Sequence, residues 1–199
     1  MAVCEVCFRH CELNEGEVGA CRARVCRDGK SVAENYGMVT GLGLDPIEKK
    51  PLYRFEPGSL ILSVGSYGCN LKCPFCQNVE ISLADGRKKP EAEYVSPEEL
   101  CSVAVRYKNR GNIGVAYTYN EPLVSYEYVR DAAKLVKRAG MKNVLVTNGS
   151  VMPEILDELS LYIDAMNIDL KCFSEKYYRE VLKGDFAAVK NFKIGRAHV

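Results

Sequence analysis

Cys69, Cys73 and Cys76 stand in the segment Gly68-Cys69-Asn70-Leu71-Lys72-Cys73-Pro74-Phe75-Cys76-Gln77-Asn78, a C-x3-C-x2-C spacing behind an apolar run. Three thiolates this close in the chain can hold three corners of a cubane [4Fe–4S] cluster and leave the fourth iron without a protein ligand. An iron with an open position can bind a small molecule, so the spacing points to chemistry rather than scaffolding. Zinc is the rival metal, but structural zinc closes a tetrahedron with four ligands, usually as two separated pairs. Plain packing cysteines are the bland alternative.

Other residues offer related chemistry. Cys4, Cys7, Cys11 and Cys21 form a C-x2-C-x3-C-x9-C series in a segment rich in Gly and Glu. Four such cysteines suit a closed site, either tetrahedral zinc or a second iron–sulfur cluster, with His10 and Cys26 as further candidates. A metal would supply folding energy that so short a segment cannot draw from a core; a small hydrophobic knot is the alternative. Cys101 and Cys172 read as packing residues. Glu121, in Tyr117-Thr118-Tyr119-Asn120-Glu121-Pro122, is a carboxylate able to accept from an ammonium. Lys171, in Asn167-Ile168-Asp169-Leu170-Lys171, can neutralise a carboxylate, while Asn148 and Asp169 can make positioning hydrogen bonds. The dull readings are a loop at Glu121-Pro122, a turn at Asn148-Gly149 and a solvated charge at Lys171.

The elements that must hold these residues alternate regularly. Leu60–Val64 reads as a strand ending at the cysteine loop. Ser96 as cap, Pro97 in the first turn and Glu99 closing a capping box start a helix, with Leu100, Val103, Ala104 and Tyr107 on one face. Residues 113–119 read as a second strand. A helix from about Val124 follows, with Tyr128, Ala132, Leu135, Val136 and Ala139 on one face and Gly140 as its stop. Residues 143–146, 153–161 and 165–170 continue as strand, helix and strand, and Ser174 caps a helix running to Gly184. A fifth unit is expected after Phe186. Strict alternation implies a parallel sheet with right-handed crossovers. In that architecture active residues gather at the C-terminal ends of the strands, where the cysteine loop, Glu121, Asn148 and Lys171 all fall.

The cysteine spacing with an aromatic residue before the last cysteine resembles the signature of radical S-adenosylmethionine (radical SAM) enzymes. The resemblance implies that Cys69, Cys73 and Cys76 hold the cluster and that SAM chelates its open iron. Reductive cleavage would then give a 5′-deoxyadenosyl radical that takes hydrogen from a substrate. It also implies Phe75 near the adenine, Glu121 at the SAM ammonium in place of the acid of a Gly-Gly-Glu-Pro motif, Lys171 at the SAM carboxylate, and Asn148 and Asp169 near the ribose. Here Tyr119-Asn120 replaces the two glycines, which puts the backbone at that turn in question. The implied fold is α/β, a partial (β/α)6 TIM-like barrel, truncated here after about four β/α units and leaving an uncovered parallel edge. Residues 45–59, the front cysteines and Cys76-Gln77-Asn78 are similar to the radical SAM protein of the AmmeMemoRadiSam system, itself similar to pyruvate formate-lyase-activating enzymes. That likeness runs from about Cys4 to Leu182. It implies a flavodoxin or ferredoxin reductant and a protein substrate, either a glycyl-radical enzyme or a Memo or AMMECR1-type protein.

The expected organisation is a Cys-rich metal-binding appendage over 1–30, a linker or extended segment over 31–58, and the β/α core over 59–193. Residues 194–199, Ile-Gly-Arg-Ala-His-Val, resemble a translated sequencing adapter; without Arg196 the basic and acidic residues balance at 26 each. Lys49, Lys50 and Tyr53 suggest a basic, aromatic lip over the site or, equally, solvated surface. With 47% hydrophobic and 27% charged residues and a net charge of +1, the chain reads as globular with no nucleic-acid surface. No apolar run approaches the roughly 20 residues of a membrane span, and no secretory pattern opens the sequence. Ten cysteines then suggest a reducing, cytoplasmic setting. The rival function is an iron–sulfur electron carrier without SAM chemistry, and a truncated fragment could be inactive whatever its parent does.

Overall fold

The computed structural model describes residues 1–83 and 88–194. Its centre is a five-stranded sheet built from β1 (Gly41–Pro46), β2 (Leu60–Gly65), β3 (Asn112–Tyr117), β4 (Lys142–Thr147) and β5 (Ala165–Ile168). Their spatial order is β5-β4-β3-β2-β1. The strands from β2 to β5 run parallel, and β1 joins antiparallel from Gly41 opposite Gly65 to Pro46 opposite Leu60. The segment expected as a linker therefore supplies an edge strand. Its alternation is masked by glycines and a proline, which a sheet tolerates at an edge.

Helices α1 (Pro97–Arg106), α2 (Tyr126–Arg138), α3 (Pro153–Ser160) and α4 (Phe186–Ile194) complete the core. The Ser96–Glu99 capping box is present at α1. Leu100 and Ala104 of α1, Val129, Ala132 and Val136 of α2, and Leu156 and Leu159 of α3 pack on Leu62, Val64, Val115, Tyr117 and Leu145. Ala139 is exposed rather than on the buried face, because the helix ends at Arg138. The other sheet face carries Ile61, Ala116 and Val144 against Ile47, with Leu52 and Phe55 beside them. Strands buried on both faces are the mark of a parallel α/β sheet.

Two expectations are corrected. The chain after Phe186 enters α4 rather than a fifth strand, since Phe-Ala-Ala-Val favours helix once Asp185 accepts from the Ala187 and Ala188 amides. The segment capped by Ser174 begins helical but widens to a π-turn over Tyr178–Leu182. β5 stands at the sheet's edge with all four residues half-buried. Beyond Ile194 the suspected adapter tail lies outside the described residues.

The cysteine-rich front segment packs directly on the core. Residues 24–27 and 30–33 form a hairpin, and Arg24, almost wholly buried, forks onto Glu127 of α2 at 2.9 and 3.0 Å. Cys7 sits in the main core and bridges to Val151. The Cys69 amide donates to the Cys21 carbonyl at 3.1 Å. Gly68 makes that approach possible: it sits at φ +90°, and a Cβ there would stand 2.7 Å from the Cys21 carbonyl oxygen.

Candidate active site

The C-terminal ends of the parallel strands open into a cavity of about 420 Å³, within the range of small-molecule sites. Its wall includes Cys69, Cys73 and Cys76 after β2, Glu121 after β3, Asn148 after β4, and Asp169 and Lys171 after β5. One cavity thus brings together all but one of the residues singled out after β2 in the sequence. Phe75 is the exception: it is half-exposed and off the cavity wall. The Cys76 amide bonds back to the Cys73 carbonyl at 3.1 Å, and the tight turn between them leaves Phe75 facing out.

Glu121 is fully enclosed. Its Oε1 accepts from the Thr147 hydroxyl at 2.7 Å and the Leu123 amide at 3.0 Å, and its Oε2 accepts from the Asn148 amide at 2.8 Å. Burial nevertheless pushes its pKa up to about 7 against those donors, because desolvation penalises a carboxylate more than three neutral donors repay.

Asn148 is occupied in holding the loop. Its side-chain amide donates to Asn70 at 2.8 Å and approaches the Cys69 sulfur at 3.7 Å, while its carbonyl oxygen accepts from the Ser150 amide at 2.9 Å. Lys171 pairs with Asp169 at 2.6 Å; burial works against the ammonium, but Asp169 holds its pKa above the ordinary lysine value. Asp169 also accepts from Asn167 at 2.7 Å. Neither charge stands free for a ligand without sharing the other.

The cysteine loop is fastened by Asn120, whose amide donates to the Tyr67 and Gly68 carbonyls at 3.1 Å and whose oxygen accepts from Ser66. Tyr119 answers the question raised by the missing glycines: it takes φ +75°, the left-handed region a glycine enters freely. Its ring lies beside Gly65, where a Cβ would stand 2.7 Å away. Its hydroxyl donates to Asp45 at 2.7 Å and its carbonyl accepts from Asn78 at 2.9 Å.

Asp45 also takes Lys50 at 2.8 Å, Lys49 at 3.2 Å and the Ser63 hydroxyl at 3.0 Å. Burial disfavours its charge, but these four donors hold its pKa well below the usual carboxylate range. Of the expected lip, Lys50 is 3% exposed, Lys49 66% and Tyr53 69%. Lys50 is thus a wall residue and Tyr53 is surface. Asp45 and Ser63 escaped the sequence reading, since Tyr119 lies 74 residues from Asp45 and no local pattern joins them.

The donor set suits an iron–sulfur cluster with an open iron. Cys69 and Cys73 are half-buried, and desolvation raises their thiol pKa values, so a bound cation would favour their thiolates. The Leu71 amide at 3.4 Å and the Asn148 amide offer N–H groups to the Cys69 sulfur, contacts of the kind that tune such clusters. Among the described residues, no three His, Cys, Asp or Glu side chains converge tightly enough to hold one ion. A cubane asks for less convergence, because each thiolate binds a different iron.

At the front, Cys4, Cys7 and Cys21 are near enough to disfavour one another's thiolates. Burial first, then that repulsion, pushes the Cys7 pKa up to about 11 and raises that of Cys21. Cys11 is half-buried, Cys26 is buried near Glu15, and His10 is exposed.

The radical SAM superfamily pattern matches residues 63–194. An uncharacterized protein of Methanocaldococcus jannaschii is 41% identical over 186 residues, covering 94% of this chain and 54% of that protein. The pyruvate formate-lyase 1-activating enzyme of Escherichia coli is 28% identical over 120 residues, covering 58% of this chain and 47% of that enzyme. The chain spans about half the length of these curated relatives. The structure of Streptococcus suis SuiB bound to precursor peptide SuiA aligns at a TM-score of 0.49 and 15% identity, covering 64% of this chain and 27% of that one, a likeness too slight to argue from. Among the described residues, no helix is long and apolar enough to cross a membrane.

Proposed function

The chain belongs to the radical SAM superfamily of enzymes, and from that premise we propose that its cavity performs reductive cleavage of SAM. When bound, a reduced [4Fe–4S] cluster and SAM supply a 5′-deoxyadenosyl radical that takes hydrogen from a substrate. Cys69, Cys73 and Cys76 would hold the cluster. Glu121 would accept from the SAM ammonium, and Lys171, released in part from Asp169, would face its carboxylate. Asn148 orients Cys69 and the Glu121 carboxylate, and Asp169 would accept from a ribose hydroxyl. The observation that carries this reading is the shared wall: a buried carboxylate, a lysine and three cysteines, from three strand ends, line one cavity.

The finer parts of the proposal have separate support. A protein substrate, such as a glycyl-radical enzyme, is supported by the likeness to an activating enzyme. The front cysteines and the 45–59 segment favour the AmmeMemoRadiSam group, whose substrate would be a Memo or AMMECR1-type protein, with a flavodoxin or ferredoxin as reductant. A second metal, zinc or an iron–sulfur cluster, at Cys4, Cys7, Cys11 and Cys21 is proposed from the spacing of these cysteines, and a reducing cytosol from the unpaired state of all ten cysteines. Further β/α units in a longer parent would cover the half-buried β5 edge.

The test is anaerobic reconstitution with iron and sulfide, followed by SAM and dithionite. Formation of 5′-deoxyadenosine, lost together with cluster absorbance in Cys69→Ala, Cys73→Ala and Cys76→Ala, supports the proposal. A reducible cluster that yields no 5′-deoxyadenosine, in this chain and in a full-length relative, identifies an electron carrier instead.

A further inference from the structure

The polar group around Lys50 has no part in holding a cluster or SAM in the scheme above, yet it forms cavity wall. Lys50 Nζ carries three N–H bonds. One meets Asp45 at 2.8 Å, and the ammonium lies 4.9 Å over the Tyr119 ring. Among the described residues Asp45 is its one hydrogen-bond acceptor, although the side chain is 3% exposed. A buried ammonium with two N–H bonds lacking an acceptor is costly, and Lys50 lines the cavity.

Charge points the same way. Lys49 and Lys50 share a single carboxylate, Asp45, which leaves one positive charge at this end of the wall. Elsewhere on the wall Asp169 balances Lys171, and the Glu121 carboxyl is hydrogen-bonded by neutral donors and feels the Lys171 charge. Among the described wall residues the unbalanced positive charge therefore sits at the Lys49–Lys50 pair.

Tyr119 adds an independent observation. It holds a left-handed backbone conformation, φ +75°, that strains a non-glycine residue. Its side chain is what keeps Asp45 and Lys50 in register, through the 2.7 Å bond to Asp45 and the ring beneath the ammonium.

We propose that Lys50, aligned by Asp45 and Tyr119, is a substrate-binding subsite that receives a carboxylate group. One surplus charge and two N–H bonds without an acceptor match the charge and the two oxygens of a monoanionic carboxylate better than a phosphate dianion, which would call for more charge and more donors. The inference rests on the reading of the cavity as the place where substrate reacts. Its test needs neither cluster nor SAM, so the two can fail separately.

The experiment labels tyrosine rings with 13C in the full 199-residue chain and assigns Tyr119 by Tyr119→Phe. Propionate, N-acetylglutamate amide, propionamide and inorganic phosphate are then titrated at constant ionic strength. The expected result is a saturable Tyr119 shift with a carboxylate and none with propionamide. The stronger carboxylate arm tells whether a free acid or a peptide side chain is the source. Lys50→Gln should weaken the response at least tenfold, while Lys50→Arg, which keeps the cation, should stay within about threefold. No saturable carboxylate response, an equal response to propionamide, a preference for phosphate, or a folded Lys50→Gln that binds as well as the parent would overturn the proposal. Were Lys50→Gln to misfold, the propionate–propionamide contrast in the parent chain still decides.

Discussion

Replacing Glu121 by Gln in the chain without cluster should change how stability depends on pH. The native carboxyl has a pKa of about 7 against an ordinary 4.5, because it is enclosed. Between those values the folded chain keeps a proton that the unfolded chain has released, so stability falls as pH rises through that window. At about 1.4 kcal/mol per pH unit the penalty reaches about 3 kcal/mol once both states are ionised. Gln cannot ionise and escapes it. It does face the Asn148 amide and the Thr147 and Leu123 donors with only one acceptor atom, but protonated Glu121 meets the same mismatch near pH 5. The two proteins should therefore be close in stability at about pH 5, and the variant should gain about 3 kcal/mol relative to the parent by about pH 8. Urea unfolding of both proteins across that range, with matched m-values, measures the difference directly. Parallel profiles would refute the reasoning, since they would mean that three hydrogen bonds suffice to keep Glu121 ionised in the folded chain.

Two further outcomes test the frame around the site. Arg24→Met removes the fork onto Glu127 together with bonds to Ser31 and the Val124 carbonyl, and should cost about 3 kcal/mol in urea unfolding because it strands a partly buried carboxylate; a loss below about 1 kcal/mol would show that the front hairpin is held otherwise. Asp45→Asn should cost about 3 kcal/mol at neutral pH. Asp45 has a depressed folded pKa, so its contribution is present above the ordinary carboxylate pKa of about 4 and fades below it; the deficit of the variant should shrink on acidification, and an undiminished deficit at about pH 2.5 would count against the ion pairing.

The parallel core was readable because its signals are local. The Ser96–Glu99 box, the apolar faces of α1 and α2 and the short runs of β2, β3 and β4 each report on a few neighbouring residues, and all five elements formed where those signals stood. The edge strand β1 was not readable: a Gly-Leu-Gly-Leu-Asp-Pro stretch has weak strand character, and its six pairings come from β2 rather than from itself. The helical path after Phe186 was misread for a similar reason, since a short apolar run alone does not separate strand from helix.

Spacing alone was enough to mark Cys69, Cys73 and Cys76, and strand-end position to mark Glu121, Asn148, Asp169 and Lys171, because both are properties of order along the chain. Whether those groups are free, paired or buried was decided only by the fold. Tertiary packing faces Phe75 outward, ties Lys171 to Asp169, spends the Asn148 side chain on the cysteine loop and sets the Cys21 carbonyl against the Cys69 amide. It also assembles Asp45, Lys50, Ser63 and Tyr119 into one charged group, and drives Tyr119 into a backbone conformation its own sequence would not choose. Charge, desolvation and hydrogen bonding depend on distances through space, and a linear order of residues does not contain them.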